Sequence, residues 1–314
     1  MIRYCVQRLL SAIPVLIGIS LIAFILGLLT PGDPAMMALS RDGMSEVTTE
    51  MIEAKREELG LNDSFPVQYG RWLFNALQGD LGRSYSDNTQ VSGELLRRLP
   101  VTLQLSACSL ILVIIFGIAG GILSAAEAGK AVDSMMKVLT NLMLSFPSFW
   151  LAIILIIIFA ENLKILPTSG VGGLRYMVLP SVTLAAANIG MTIRLMRSSM
   201  LTEFGKQYML AANAKGIGKV RVLLAHAFPN AVVPVITLIG NYAGGILGGS
   251  FIIENIFSLP GIGSYVLSAI HSRDYPVIQG YVLVMGFTYV VISLIIDLLC
   301  ALAQPKIRLG GKSL

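Results

Sequence analysis

Charge is what this sequence has least of. Only 13% of its 314 residues are Asp, Glu, Lys or Arg, against roughly 25% in soluble domains. Hydrophobic residues make up 55%, and the mean hydropathy is +0.76. That leaves too little polar surface to cover a water-facing globule of this length, which excludes a soluble enzyme and excludes disorder. Three cysteines (Cys5, Cys108, Cys300) are too few for a disulfide scaffold, and two histidines too few for a His-rich metal cage. There is no H-E-x-x-H pair, no G-x-S-x-G elbow and no G-x-x-x-x-G-K-[ST] phosphate loop, so the chain cannot bind ATP by that last route. Catalytic, metal and cofactor residues are therefore expected to be none, and nucleic acid is not an expected partner.

What is present is long apolar runs. Six are free of charge and long enough to cross a bilayer core: 9–32, 99–126, 138–160, 176–193, 222–253 and 275–296. Trimmed, they predict an all-α membrane protein with six transmembrane helices near 9–29, 101–123, 138–160, 177–196, 230–250 and 279–303. The fourth is short and holds Pro180, Asn188 and Gly190, so it is expected inside the bundle rather than against lipid. The first run follows Arg3 and Arg8, but its apolar part is about twice a typical signal core, and it reads as a retained helix. The near absence of charge inside the runs argues against a proton-coupled carrier and a voltage sensor. Asp297, the one acid clearly within a span, reads as an end-of-span residue pairing with Lys306, Arg308 or another subunit.

Charge sets the orientation. With the amino terminus inside, the inner segments 1–8, 124–137, 194–226 and 304–314 carry +2, 0, +5 and +3. The outer segments 30–100, 161–175 and 251–278 carry −4, +1 and −1. Lys and Arg beside span ends in short loops are retained inside, so both termini are expected to be cytoplasmic.

The outer segment 31–99 is too long and too polar to be a turn. Val47, Met51 and Leu59 can share one helix face that Gly60 would stop, and Tyr69, Trp72, Leu73, Ala76 and Leu77 fit a second amphipathic helix ended by Gly79. Trp72 and Tyr69 suit a membrane interface. This segment reads equally as a docking or gating element and as a cap over the bundle. Gly117 and Gly121 form a G-x-x-x-G pair that suits ordinary close packing, whereas Gly240, Gly244 and Gly248, with Gly245 and Gly249 beside them, point to a subunit interface or a translocation path. Between Arg221 and Asp297 the only formal charges are Glu254, Arg273 and Asp274. With Asn255 they are candidates for an outer gate or substrate path; a Glu254–Arg273 internal pair is the rival reading.

The inner loop after the fourth span is the informative stretch. Residues 202–214 favour a short helix, Gly216 and Gly218 interrupt it, Val220, Leu223 and Leu224 begin another, and Pro229 leads back to the membrane. A helix–glycine–helix hairpin is a natural knob for a partner's groove; a basic loop held by anionic lipid is the alternative. The segment resembles the coupling loop of ATP-binding-cassette importer permeases, E-A-A-x-x-x-G followed by nine residues and I-x-L-P. Ala211, Ala212 and Gly216 stand at the A-A and G positions and Phe228-Pro229 at L-P, while Leu210 replaces the glutamate and His226 the isoleucine. The peptide/nickel branch has Y-V-x-x-A-x-A-K-G instead, which Tyr208 to Gly216 resembles, with Asn230-Ala231 and Pro234 following. "RYCVQRLLSAIPVLIGIS", "TPGDPA", "ELGLNDSFPVQYGRWLFNALQGDLGRS", "GGSFIIENIFSLPGIGSYVLSAIHSRDYPVIQG" and "DLLCALAQPKIR" resemble other stretches of that branch, so the likeness spans essentially the whole chain. The long first outer segment matches its B-type permease.

The resemblance implies a type I importer fold, with helix 1–30, an extracytoplasmic segment 31–99, a permease core 100–303 holding the coupling loop 197–228, and a cytoplasmic tail 304–314. It implies a bacterial or archaeal plasma membrane, surrounding lipid, a second homologous permease, two ATPase subunits that hydrolyse ATP, and an external binding protein that delivers nickel, a metal chelate, or di- or oligopeptides. The coupling-loop residues carried over are Glu203, Tyr208, Ala211, Ala212, Lys215 and Gly216. The chain itself would then not be an enzyme. The alternatives are a stand-alone secondary carrier or channel, and a membrane scaffold or receptor.

Overall fold

The computed structural model describes residues 2–29, 33, 35, 36, 39, 48–170 and 172–303. Most of the "TPGDPA" turn and the tail 304–314 lie outside the described residues, as do the side chains of Asp297, Cys5 and Cys300. The chain divides into two compact units, Ile2–Pro100 with Gly261–Val290, and Val101–Pro260 with Val291–Leu314.

The described elements are helices, and one isolated bridge joins Arg83 and Gln90. They are α1 (Ile2–Leu29), α2 (Thr49–Glu58), α3 (Phe65–Leu77), α4 (Val91–Ala126, with a π turn at Val113–Gly117), α5 (Ala131–Ser145), α6 (Ser148–Asn162, ending in a π turn), α7 (Leu174–Phe204), α8 (Gln207–Ala214), α9 (Lys219–Ile256, with a π turn at Val222–Ala227), α10 (Ile262–Ser272) and α11 (Tyr275–Ala303). Among the described residues four helices are long and apolar enough to cross a membrane, and a fifth crossing results if α5 and α6 count as one.

The single helix expected over 138–160 is two helices at 107° to each other. The cause is Pro147, whose ring forces the preceding residue out of the helical region: Phe146 sits at φ −85, ψ 127. The carbonyl of Pro147 then accepts from the amides of Trp150 and Leu151 and starts α6.

In the unit built on Val101–Pro260, α7 is the central pillar. In its most apolar stretch 61% of residues are buried, against 17–33% in the other crossing helices, so the fourth run does pack inside. Ala185, Ile189, Ile193, Met196 and Met200 join Val113 of α4 and Val222, Ala231 and Val235 of α9 in one core cluster. The glycine pair of α4 makes this approach possible: a Cβ on Gly117 would stand 2.6 Å from Thr192, and one on Gly121 would collide with Met196. Gly190 likewise lets α7 approach the backbone carbonyl of Thr140.

In the other unit α3 lies on α1. Phe24 meets Phe65, Tyr69 and Trp72 at centroid distances of 5.7, 5.6 and 5.6 Å, and the hydroxyls of Ser20 and Tyr69 are 2.8 Å apart. The expected helix stops are present, since Gly60 and Gly79 follow α2 and α3 with positive φ. A third core cluster joins Val91 and Leu95 to Ile262, Ala269 and Val277.

Candidate functional site

The hairpin that follows α7 is built on a buried carboxylate. α7 runs to Phe204, further than the sequence suggested, and the chain turns at Gly205-Lys206 into α8. Glu203, at the end of α7, is buried. One of its oxygens accepts from Nζ of Lys206 at 2.6 Å and the other from the hydroxyl of Tyr208 at 2.6 Å. Burial and the neighbouring Glu203 carboxylate push the Tyr208 phenol above its ordinary value, so it stays a donor through the physiological range. The side-chain amide of Asn230 donates to the carbonyl of His226 at 3.0 Å and lies 3.4 Å from the Tyr208 oxygen. These contacts tie α8 to both neighbouring helices.

The two faces of α8 separate. Met209 and Ala212 are buried in the core cluster around α7. The far end closes with an amide of Ile217 bonded to the carbonyl of Ala212 at 3.4 Å, and with Gly216 at φ +73, the left-handed stop that glycine adopts most readily. Leu210 (66% exposed), Val220 (71%) and Leu224 (49%) stand outward, and Ala211, Lys215, Lys219 and Arg221 are exposed around them. The result is an apolar knob with a basic rim, held from beneath by a buried acid. Of the residues carried over from the resemblance, Glu203, Tyr208 and Ala212 form the support, Gly216 forms the stop, and Ala211 and Lys215 face out.

A second feature escaped the sequence reading. Asp133, in the first turn of α5, is fully buried. Arg197 of α7 holds it bidentately at 2.6 and 2.8 Å. Lys137 adds an ion pair at 2.9 Å, Ser124 a hydrogen bond at 2.7 Å, and the amide of Gly129 another at 3.0 Å. The only local signal was the Asp133/Lys137 spacing of four; the segment's zero net charge made it look inert.

The four residues expected at an outer gate fall into different units. Glu254 and Asn255 end α9 in one, and Arg273 and Asp274 follow α10 in the other. Glu254 is fully buried, and one of its oxygens accepts from Thr102 at 2.7 Å and from Ser250 at 3.0 Å. Asn255 is exposed. Arg273 caps α10 in the left-handed conformation at φ 55. Asp274 is buried and accepts from the hydroxyl of Ser84 at 2.6 Å and the amide of Ser86 at 3.1 Å.

Helix α9 has a polar exposed stripe. Thr237, Asn241, Gly245, Gly248 and Asn255 recur at helical spacing on it, while Val235, Ile239, Ala243, Ile246 and Glu254 are buried on the other side. A Cβ on Gly245, Gly248 or Gly249 would meet nothing within 4 Å. Unlike the α4 pair, these glycines do not serve packing within the chain.

Residues 117–309 match the family described as binding-protein-dependent transport system inner membrane component, and residues 1–106 match the N-terminal region of the same kind of membrane component. A putative peptide transport system permease protein of Brucella abortus (strain 2308) is 39% identical over 310 residues, covering 96% of this chain and 98% of that protein. The glutathione transport system permease protein GsiC of Escherichia coli (strain K12) is 35% identical over 308 residues, covering 98% and 99%. Among solved structures, the inward-facing MetNI methionine transporter matches with a TM-score of 0.56 at 16% identity, over 67% of this chain and 96% of that one. An amino acid transporter matches with a TM-score of 0.51 at 13% identity, over 68% and 94%. At those identities the likeness is one of fold.

Proposed function

The chain belongs to the family of binding-protein-dependent transport system inner membrane components, and from that premise we propose that it forms half of the translocation path for short peptides. It is a multi-pass membrane permease of an ATP-driven importer, in the peptide/nickel branch. The stand-alone carrier or channel considered from sequence finds no support among these relatives. The partners are a second permease, two ATPase subunits that carry the hydrolysis, and an external binding protein. The chain crosses the membrane six times, with α1 as the first span, the bent α5–α6 pair as the third, and both termini in the cytoplasm.

One observation carries the mechanism: the hairpin 203–224 presents an apolar, basic-rimmed knob while its base is locked to α7 and α9. A knob fixed in this way moves as one body with the helices that carry it. A partner that grips the knob differently in its two nucleotide states therefore biases the bundle between two states. Docking into an ATPase groove is the role of Leu210, Ala211, Val220 and Leu224. Glu203, Tyr208, Ala212 and Gly216 position them, and Lys215 belongs to the rim.

The path runs along the exposed stripe of α9. Amide and hydroxyl groups there are costly against lipid and suit water or a solute rich in amides. The relatives named for peptide and glutathione transport support a peptide substrate. Asn255 lies on this stripe, whereas Glu254 serves the helix contact with α4. Reconstitution of the chain with its partner permease, ATPases and binding protein in liposomes tests the proposal. ATP-dependent accumulation of a labelled di- or tripeptide is expected, and ATP-independent exchange would overturn it.

A further inference from the structure

Helix α3 has three distinct sides. Phe65, Tyr69 and Trp72 pack on Phe24 of α1. The polar residues Gln68, Arg71 and Asn75 line a cavity of about 290 Å³ in the same unit. The remaining side is an apolar ridge turned away from the unit: Val67 (50% exposed), Phe74 (62%) and Leu77 (80%), with Gly70 between them and open in front. Leu77 therefore does not share the packed face that its spacing from Tyr69 and Trp72 suggested. Arg71 and Asn75 stay exposed at the edge of that cavity, so an open apolar ridge runs beside an open polar border, the pattern of a helix lying at a membrane interface.

The depth of α3 is set by its contacts with α1. Phe24 lies five residues before Leu29, and Ser20, which meets Tyr69, lies nine before it. At 1.5 Å per residue these points are about 7.5 and about 13.5 Å from the end of the helix. The exposed side of α1 is lined by Leu10, Ile13, Ile17 and Ile22, as a lipid-facing helix requires. An α3 fastened at that depth cannot lie in open water.

We infer that α3 is embedded in the outer leaflet, with Val67, Phe74 and Leu77 in the layer between acyl chains and headgroups, and Arg71, paired with Asp63 at 2.6 Å, at its polar border. The occupant of the ridge is lipid, not the binding protein or the second permease. The inference rests on α1 spanning the membrane. It gives the outer segment a function beyond capping: anchoring the wall of the cavity to the bilayer surface.

The test is site-directed spin labelling of the complete transporter in liposomes. Single cysteines replace Val67, Phe74 or Leu77 in a chain whose own cysteines are serine. Ile17 serves as the lipid-facing control and Gln90 as the aqueous control. The expected result at all three ridge positions is relaxation by oxygen and shielding from a water-soluble nickel chelate, close to Ile17 and unlike Gln90. Access to the chelate would place the ridge in water and overturn the inference. Shielding from both reagents would place it under protein and overturn it equally. If Ile17 itself is open to the chelate, the span reading of α1 fails and this inference falls with it. A lipid-like Ile17 beside a water-like ridge removes this inference alone.

Discussion

Replacing Tyr208 with Phe removes one hydroxyl and leaves the ring in place. That hydroxyl donates to Glu203 at 2.6 Å, and Glu203 is buried. A hydrogen bond to a charged group contributes about 1.5–3 kcal/mol, and a buried acceptor that loses its donor bears the desolvation cost as well. Tyr208 is itself partly exposed, so water can replace part of the loss, and the lower end of that range applies. At about 1.4 kcal/mol per decade, α8 should open at least about tenfold more often. Hydrogen exchange on the assembled transporter reads this directly. Amides of α8 should lose about a factor of ten in protection while those of the buried middle of α7 do not change. Peptide uptake should fall more than ATP hydrolysis, because the partner still turns over but moves a looser knob. Glu203→Ala should cost less in the Tyr208→Phe variant than in the parent chain, since the Tyr208 contact is already gone and only the Lys206 pair is left to lose. Unchanged exchange in α8, or a loss spread evenly over the whole chain, would refute the reasoning.

Other consequences follow from the same geometry. Ala212→Asp buries an unpaired charge in the chain's own core, so it should cost several kcal/mol and abolish assembly by unfolding; normal thermal stability would contradict this. Gly117→Val should destabilise by about 1–3 kcal/mol through its clash with Thr192, whereas Gly248→Ala, with open space before it, should leave the melting temperature unchanged. Glu254→Gln should lower thermal stability and uptake together, by the same factor for cationic and anionic peptides, because its partners are Thr102 and Ser250; a loss confined to cationic peptides would restore it to the path. Single cysteines at Ser86 and Lys219, both exposed, should label from opposite sides of intact cells, and outside labelling of both would overturn the topology.

Much of this architecture was legible because membrane proteins state their helices in plain apolar runs. The inward packing of the fourth run followed from Pro180, Asn188 and Gly190, residues ill suited to lipid. The stops at Gly60, Gly79 and Gly216 followed from the chirality of L-residues. Residues that owe their role to a distant partner were less legible. Pro147 lay inside an apolar run, where length alone suggested one straight helix, and its bend depends on the conformation of Phe146. The Asp133–Arg197 clamp joins positions 64 apart, and neither neighbourhood shows it. Ala212 stands in a partner-binding motif, but which side of α8 meets α7 decides that it is buried in the chain's own core. Glu254 drew attention as a rare charge near the outer mouth, and only its hydroxyl partners on α4 and α9 reveal a packing role. The two glycine sets look alike in sequence, yet Gly240 packs against Ile296 as the α4 pair packs on α7, and only Gly245, Gly248 and Gly249 face open space.

The central claim is that the exposed knob of the inner hairpin is what an ATPase subunit grips. Leu210→Asp tests it most directly, because Leu210 is two-thirds exposed and its loss should not disturb the core beneath. The account predicts that the variant inserts, keeps its melting temperature and still pairs with the second permease, but fails to co-purify with the ATPases and supports no peptide uptake. Wild-type ATPase recovery together with wild-type uptake in the Leu210→Asp transporter would contradict it.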